Sequence, residues 1–274
     1  MNNLTTRTIT GLIYVIVVVL STLLHPLTFL LLLVFFTIIG IREFYKLTAN
    51  DKVHPQTISG IIAGVAIVVV AYLNAAEYYR DWIFYLIIAT PILIGLIELL
   101  NKKGEFDKNV MFNLLGIVYV AAPLSLLEFS GFPESLNHTY SYEIILGYFI
   151  ILWLYDTGAY LVGSTFGKHK ILPRISPGKS WEGVIGGMVI GIGTAIILAM
   201  FFELLEMIQW IVISILIAIT GTIGDFIESG IKRKAGVKDS GNIFPGHGGM
   251  LDRIDSVLFS APFVFLYLKV IQVI

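Results

Sequence analysis

TITGLIYVIVVVLSTLLHPLTFLLLLVFFTIIGIREFY, residues 8–45, contains two long apolar runs that are separated by a single HPL tripeptide. Each run approaches the roughly 20 apolar residues that an α-helix needs to cross the hydrocarbon core of a bilayer. We therefore predict two membrane helices, 8–24 and 27–45. The segment ahead of them has one basic residue, Arg7, and no small-residue cleavage site, which favours a retained first helix over a cleaved signal peptide.

The composition of the whole chain indicates a membrane protein. Its 274 residues are 57% hydrophobic and only 14% charged, and the mean hydropathy is +0.86. Soluble domains usually carry about a quarter charged residues. The chain has no cysteine, which excludes a disulfide framework, a thiolate nucleophile and a cysteine metal site.

Similar apolar runs recur along the chain and predict an all-α, polytopic membrane protein with about nine transmembrane helices. The predicted spans are 8–24, 27–45, 56–74, 82–100, 110–129, 144–164, 184–203, 207–224 and 253–272. Pro91 and Pro123 lie inside two of these spans. We expect kinks there rather than helix ends, because neighbouring helices can satisfy the carbonyl that each proline frees.

Lysine and arginine are distributed unevenly between the loops. If the N-terminus is cytoplasmic, 16 of the 18 Lys and Arg residues lie on the cytoplasmic side, and only Arg80 and Lys269 lie outside. This distribution follows the positive-inside rule and places the C-terminus outside. The two largest basic loops, 165–183 and 225–252, both face the cytoplasm, so we expect any chemistry on that side.

The segment GTIGDFIESGIKRK, residues 221–234, carries a group of polar residues at helical spacing. Asp225, Ser229 and Lys232 are at positions i, i+4 and i+7, so on a helix they share one face, with Glu228 on the same side. A carboxylate and a lysine in this arrangement suit a metal next to a phosphate. A solvated helix end with a local ion pair explains the segment equally well.

GHGGMLDRIDS, residues 246–256, leads into the last apolar run. Asp252, Asp255 and Ser256 share one helical face. Acidic residues are favoured at a helix N-terminus, so Asp252 alone could be a cap. A cap does not explain Asp255 one turn deeper, or Arg253, because arginine is costly near hydrocarbon unless it is paired or faces a wet cavity. We favour a functional site.

The glycines before this helix suggest an anion site. Gly248 and Gly249 let backbone N–H groups turn towards an anion at low steric cost. His247 could be a ligand or a phosphate donor, although an ordinary loop histidine is the simpler interpretation. The nearby basic residues that would complete a phosphate site are Lys232, Arg233, Lys234 and Lys238.

Two further segments carry candidate residues. Asp156, in LWLYDTGAYLVGSTFGKHK, lies about a dozen residues inside the sixth span, and an ionisable residue there is a candidate functional residue. The alternative is a structural carboxyl that is protonated or bonded to a neighbouring helix. Lys179 lies in ISPGKSWEG, which by itself is typical of a helix start at Ser180 with an interfacial tryptophan.

These residues place carboxylates and phosphate-binding cations on one membrane face. Oxygen ligands beside a phosphate suit Mg²⁺, and a second cation could help to clamp the attacking and leaving oxygens of a phosphoryl or nucleotidyl transfer. We therefore predict Mg²⁺ and leave the second cation open. A site at the membrane surface implies that one substrate is a lipid.

SGIKRKAGVKDSGNIFPGHGGMLDRIDS, residues 229–256, resembles the signature of the phosphatidate cytidylyltransferases (CDP-diacylglycerol synthases). The residues in step with that signature are Ser229, Lys232, Arg233, Lys238, Asp239, His247, Gly248, Gly249, Asp252, Arg253 and Asp255. The DTGAY and SPGKSWEG segments are similar to other motifs of the family, so the resemblance covers 156–256. Tyr155 departs from the small or polar residue that many members carry, and we expect it to affect packing rather than chemistry.

The resemblance implies that CMP is transferred from CTP to phosphatidic acid, which yields CDP-diacylglycerol and pyrophosphate in phospholipid biosynthesis. It implies metal ligands at Asp225 and Asp252, with Lys232 and Asp255 as further catalytic residues. The predicted substrate-binding residues are Asp156, Lys179, Ser229, Arg233, Lys238, His247, Gly248, Gly249 and Arg253, with a structural role for Asp156 left open. The expected partners are CTP, phosphatidic acid and membrane lipids, without nucleic acid and with a homodimer left open.

The expected location is a bacterial inner (cytoplasmic) membrane, with the active site facing the cytoplasm. Residues 1–143 would form a five-span scaffold and residues 144–274 a four-span catalytic region of one continuous membrane domain. A CTP-dependent lipid or polyprenol kinase is the alternative enzyme, which would release CDP. An ion-coupled transporter that uses Asp156 is the alternative outside enzymes, although transporter sites usually lie near the membrane midplane.

Overall fold

The structure, a computed structural model, describes residues 3–78, 82–101, 103–246 and 248–274, with backbone alone for 3–7 and Phe84. Within these ranges the chain forms nine long helices and no β-strand. The helices are α1 Asn3–Leu24, α2 Pro26–Thr48, α3 Thr57–Ala75, α4 Trp82–Leu99, α5 Phe106–Phe129, α6 Glu143–Phe166, α7 Trp181–Leu198, α8 Met207–Lys234 and α9 Leu251–Val270.

The helices confirm the predicted all-α class and the polytopic membrane architecture. Each helix lies on one predicted span, and the ends agree within five residues everywhere except at the end of α8. Six of the described helices, α2, α3, α5, α6, α7 and α8, are long and apolar enough to cross a membrane. Nine crossings and the orientation of the termini stay predictions, as does the division into two regions at residue 143.

The HPL tripeptide does separate two helices. His25 has an extended backbone, with φ −167° and ψ 147°, and its Nδ1 accepts a hydrogen bond from the Leu27 N–H at 3.1 Å. Pro26 occupies the first turn of α2. N–H groups in the first turn have no acceptor within the helix, so the N–H that proline lacks is not missed there. The local chemistry of two residues therefore ends one apolar run and starts the next.

Prolines inside the spans do not end them, as predicted. Pro91 lies within α4. Pro123 lies within α5, two residues after a π-helical turn at Ile117–Ala121. A second π-helical turn, Ile217–Gly221, lies in α8 immediately before the Asp225 segment. Such turns often occur next to functional sites, because they re-aim the side chains that follow.

The predicted end of the eighth span, at residue 224, is wrong. The helix continues to Lys234, so the polar residues after position 224 are helical instead of belonging to a loop. This extension is amphipathic, and a search for apolar runs cannot detect it. An ion pair at i, i+4 supports it, with the Lys232 Nζ 2.5 Å from Glu228 Oε2.

Close packing between α6 and α7 depends on glycine. Gly183 and Gly187 lie one turn apart on α7 and face the backbone of α6. A Cβ atom on Gly187 would lie 2.8 Å from the Tyr155 carbonyl oxygen, and one on Gly183 would lie 2.8 Å from that of Ala159. Small residues let membrane helices approach in this way. The contact holds Tyr155 and its neighbour Asp156 close to α7.

We expect Gly187→Ala to destabilise the protein by about 1–3 kcal/mol, because the added methyl group overfills a contact between backbones. Gly193→Ala on the same helix is the matched control, since a Cβ there meets no atom within 4 Å. Thermal unfolding in detergent would measure both variants. Equal unfolding temperatures for the two variants would contradict this account of the α6–α7 contact.

The two ends of the bundle carry different loops. The segments that precede α7 and α9 lie at one end, where Lys179 contacts Asp225 of α8. Residues 130–142, between α5 and α6, lie at the other end, where the Glu134 N–H donates to the Val273 carbonyl beyond α9. The two largest basic loops therefore share one end of the molecule.

This arrangement makes the predicted orientation testable, because the chain has no cysteine of its own. We expect Lys234→Cys to react with a membrane-impermeant maleimide only in inside-out vesicles, and Ser135→Cys to react only in intact cells or spheroplasts. Both residues are exposed. Labelling of both from the same side would contradict the predicted topology.

Candidate active site

Asp156 of α6 lines three adjoining cavities at the end of the bundle that carries the basic loops. The first, of about 580 Å³, lies between α6, α8 and the loop before α7. The second, of about 320 Å³, lies between α1, α6 and α9. The third, of about 300 Å³, lies between α8, the loop after it and the start of α9.

The second and third cavities form one site, because five residues line both of them. These shared residues are Asp156, Asp252, Arg253, Asp255 and Ser256. The third cavity is almost entirely polar and adds further charged side chains, namely Asp225, Lys232, Arg233, Lys238 and Asp239. The structure thus brings together candidate residues from α6, α8 and α9.

Lys232 joins α8 to α9 through two carboxylates. Its Nζ lies 2.5 Å from Glu228 Oε2 and 2.6 Å from Asp252 Oδ1. All three side chains are largely buried, with exposed fractions of 12% for Lys232, 2% for Glu228 and 7% for Asp252. A buried charge is tolerated only when it is paired and hydrogen-bonded, so each member of this network depends on the others.

Asp252 accepts more hydrogen bonds than a simple cap requires. Its Oδ1 accepts from Lys232, and its Oδ2 accepts from the Gly249 N–H at 2.7 Å and from both the N–H and the hydroxyl of Ser240 at 2.9 Å. The bond from Gly249 joins Asp252, the second residue of α9, to the residue before the Met250 N-cap, so Asp252 does not cap the helix as the sequence had allowed. The other bonds tie α9 to α8 and to the preceding loop.

Lys179 and Asp225 form an ion pair between the loop before α7 and α8. The Lys179 Nζ also lies 5.0 Å from the centre of the Phe226 ring. Next to this pair, the Ser180 side chain accepts a hydrogen bond from the Gly183 N–H at 3.2 Å and caps α7. The interpretation of Ser180 as a helix start is confirmed, and Lys179 in addition reaches the candidate site.

Tyr155 packs against α8 and also lines the first cavity, so its predicted role in packing rather than chemistry stays a prediction. The side chain is buried, and its hydroxyl lies 2.5 Å from Thr222 Oγ1 of α8. This bond and the α7 glycines hold α6 against both of its neighbours, which places Asp156 opposite Asp225.

The remaining predicted residues lie around the same site. Ser229 is buried on α8, and Lys238 is exposed at the third cavity. Arg233 donates to the Val237 carbonyl at 3.1 Å. Gly248, with φ +84°, leaves no room for a Cβ, which would lie 2.5 Å from Asp252 Oδ2. His247 lies outside the described residues.

The glycine loop therefore wraps around a carboxylate of the protein itself. The Gly249 N–H, which was predicted to face a phosphate, donates to Asp252 in this structure. Glycine is needed at position 248 both for its positive φ and for this close approach. The phosphate-cradle role of Gly248 and Gly249 stays a prediction.

Residues 5–271 match the model of the cytidylyltransferase family. The chain belongs to this family. Among its relatives, a phosphatidate cytidylyltransferase of Staphylococcus epidermidis is 34% identical over 87% of this chain and 90% of the relative. A protein of the same name from Staphylococcus haemolyticus is 32% identical over 96% of this chain and 98% of the relative. Another from Staphylococcus aureus is 33% identical over 87% of this chain and 90% of the relative.

A buried carboxylate that sequence reasoning missed lies beside the candidate site. Glu43 of α2 is 7% exposed and accepts hydrogen bonds from Ser240, Met250 and Leu251. It lies in the region predicted to be a scaffold, in the segment IREFYK at the end of an apolar run. A carboxylate at that position could have been noticed, but its partners lie some 200 residues away and could not.

We expect Lys232→Met to destabilise the protein by about 3–5 kcal/mol, because it leaves two buried carboxylates facing each other without a cation. Lys234→Met, at an exposed position on the same helix, should change stability by less than about 0.5 kcal/mol. Chemical or thermal unfolding in detergent would compare them. Similar small changes for both would show that the Lys232 network does not hold α8 and α9 together.

Proposed function

We propose that this chain is a phosphatidate cytidylyltransferase, which transfers CMP from CTP to phosphatidic acid and releases pyrophosphate. The observation that carries the proposal is the junction of the second and third cavities. A polar, cation-lined space suited to a nucleotide triphosphate adjoins a space that is lined in part by apolar side chains of α1 and α6. Family membership and the names of the staphylococcal relatives support the same reaction.

The third cavity would hold the CTP phosphates. Lys232, Arg233, Lys238 and Arg253 line it, and all four lie on α8, the first turn of α9 or the loop between them. Cations that are already fixed by helices and ion pairs need little reorganisation when negative charge develops on a leaving pyrophosphate. The first cavity, which includes Lys170 and Lys179, would provide further space for the nucleotide.

The second cavity would hold phosphatidic acid. Its α1 and α6 walls include Val15, Leu152 and Trp153, and Arg253 lies at its polar end. The phosphate of the lipid could approach Arg253 while its acyl chains lie along the apolar wall between α1 and α6. The exposed apolar face of α1, with Leu12 and Ile16, would be the adjoining lipid contact.

In the proposed reaction, a phosphate oxygen of phosphatidic acid attacks the α-phosphorus of CTP. A new P–O bond forms, the bond from the α-phosphorus to the bridging oxygen breaks, and pyrophosphate leaves with the electron pair. The nucleophile is already anionic, so no dedicated general base is needed. The residues of the site would act by holding the two phosphates together and by neutralising charge.

The carboxylates of the site suit a divalent cation. Asp255 has Asp225, Glu228 and Asp156 as its like-charged neighbours, which is a repulsive arrangement that a cation would relieve. Within the described residues, no three carboxylate or histidine side chains form a ready-made metal site. Mg²⁺ usually takes one or two carboxylates together with substrate phosphates, so the donor set fits it.

Asp225 would be the first metal ligand, because a single lysine pairs with it, whereas Asp252 already has four donors within hydrogen-bonding distance. Asp252 would have to exchange some of these donors to bind a metal. When bound, Mg²⁺ would neutralise phosphate charge and polarise the α-phosphorus. The second cation and the homodimer stay predictions, and CTP as substrate supports a site that faces the cytoplasm.

We expect the purified protein in detergent to release pyrophosphate only when CTP, phosphatidic acid and Mg²⁺ are all present. An enzyme-coupled pyrophosphate assay would measure this, with EDTA and lipid-free samples as controls. Release of CDP instead of pyrophosphate would assign the chain to the CTP-dependent kinases. No product from a folded protein would reopen the transporter alternative.

Two variants test the carboxylates in the same assay. We expect Asp225→Asn and Asp252→Ala each to reduce kcat at least about 100-fold, because each removes charge that would face the reacting phosphates. Asp225→Asn is the cleaner test, since Asp252 also holds the loop before α9. Full activity of Asp225→Asn at saturating Mg²⁺ would exclude Asp225 as a required metal ligand.

A further inference from the structure

Glu43 of α2 reaches the start of α9 from the opposite half of the chain. Its Oε1 accepts from the Met250 N–H at 3.0 Å, and its Oε2 accepts from the Leu251 N–H at 2.9 Å. Oε2 also lies 2.9 Å from the Ser240 hydroxyl, which donates to it. Three donors from the segment before α9 therefore converge on one buried carboxylate.

Helix α9 depends on Glu43 because its own cap residue does not supply an acceptor. Met250 occupies the N-cap position and makes no side-chain capping bond. The first N–H groups of a helix have no intrahelical partner, and a buried one must be satisfied from elsewhere. Glu43 accepts two N–H groups at this end, and its negative charge is favourable at a helix N-terminus.

Ser240 connects Glu43 to Asp252. Its hydroxyl oxygen lies 2.9 Å from Glu43 Oε2 and 2.9 Å from Asp252 Oδ2, and a hydroxyl has a single proton to donate. At any moment it donates to only one of the two carboxylates. If Asp252 binds another group, the Ser240 hydroxyl can therefore rotate and donate to Glu43 instead.

The glycines of this loop pack directly on the Glu43 carboxylate. A Cβ atom on Gly249 would lie 2.5 Å from Glu43 Oε2, and one on Gly241 would overlap Oε1. The loop thus packs closely against the Glu43 carboxylate. Glu43 does not line any of the three cavities, so it has no direct route to a substrate.

We propose that Glu43 is a positioning residue for the cytidylyl transfer, which holds Ser240 and the first turn of α9 so that Asp252 and Arg253 face the polar cavity. This inference rests on the proposed function for its kinetic consequence. The structural part of the inference is that Glu43 of α2 fixes the Ser240–Leu251 segment. This part holds whether or not the chain catalyses the transfer.

The test compares Glu43→Gln with wild type and with a matched control, Glu98→Gln. Glutamine has nearly the same shape, but it offers one acceptor oxygen and an NH₂ group, so at least one of the three donors loses its partner. Glu98 is an equally buried carboxylate of α4 that accepts from Asn101 and Asn109 and touches no residue of the site.

Hydrogen–deuterium exchange gives a readout that does not need activity. We expect Glu43→Gln to speed amide exchange in the peptide that covers 240–251 and to leave α7 unchanged. Glu98→Gln should leave 240–251 at the wild-type rate even if its unfolding temperature falls. Unchanged exchange at 240–251 in Glu43→Gln would overturn the inference, whether or not the wild type is active.

Steady-state kinetics give the second readout. We expect Glu43→Gln to lower kcat/KM for CTP about 10- to 100-fold, as a displaced binding group does. The KM for phosphatidic acid should rise as well, because Arg253 also lines the second cavity, and Glu98→Gln should keep both KM values. A loss of kcat that only matches the loss of folded protein, with both KM values unchanged, would overturn the positioning role. An inactive wild type would instead overturn the proposed function.

Discussion

The constraint on which the site depends is the burial of Lys232 between Glu228 and Asp252. A buried lysine is tolerated only when carboxylates pair with it, and buried carboxylates likewise need the lysine. The pairing fixes α8 against α9, 20 residues further along the chain. The polar cavity exists because this ion network holds the two helices together around a space that their apolar faces could not enclose.

Packing on the other side of the cavity has a different physical basis. The glycines of α7 let the backbone of α6 approach closely, and the Tyr155–Thr222 bond ties α6 to α8. Asp156 is thereby placed among charged groups of α8 and α9 while remaining in a helix that is apolar over most of its length. Rigid helices with few adjustable contacts suit a reaction that depends on holding two anionic phosphates in register.

Much of the fold could be predicted because apolar length and helical periodicity are local properties. Residues close together in the chain determine the nine helices and the break at His25. They also determine which polar residues share a helical face, namely Asp225 with Lys232 and Asp252 with Asp255. The end of α8 could not be found from an apolar run, because its last ten residues are amphipathic and owe part of their stability to an ion pair. The glycine loop was expected to face a substrate phosphate, yet the Gly249 N–H donates a hydrogen bond to Asp252.

The sequence by itself determined the class of fold, the membrane environment, the polar motifs and the family resemblance, since each depends on residue type and spacing. The tertiary structure alone decided which charges meet. Lys179, in the loop before α7, pairs with Asp225 of α8, and Glu43 meets Ser240 at a separation of 197 residues. Such pairs follow from how whole helices pack, because no local pattern records which distant side chain will neutralise a buried charge or satisfy the free N–H groups at a helix end.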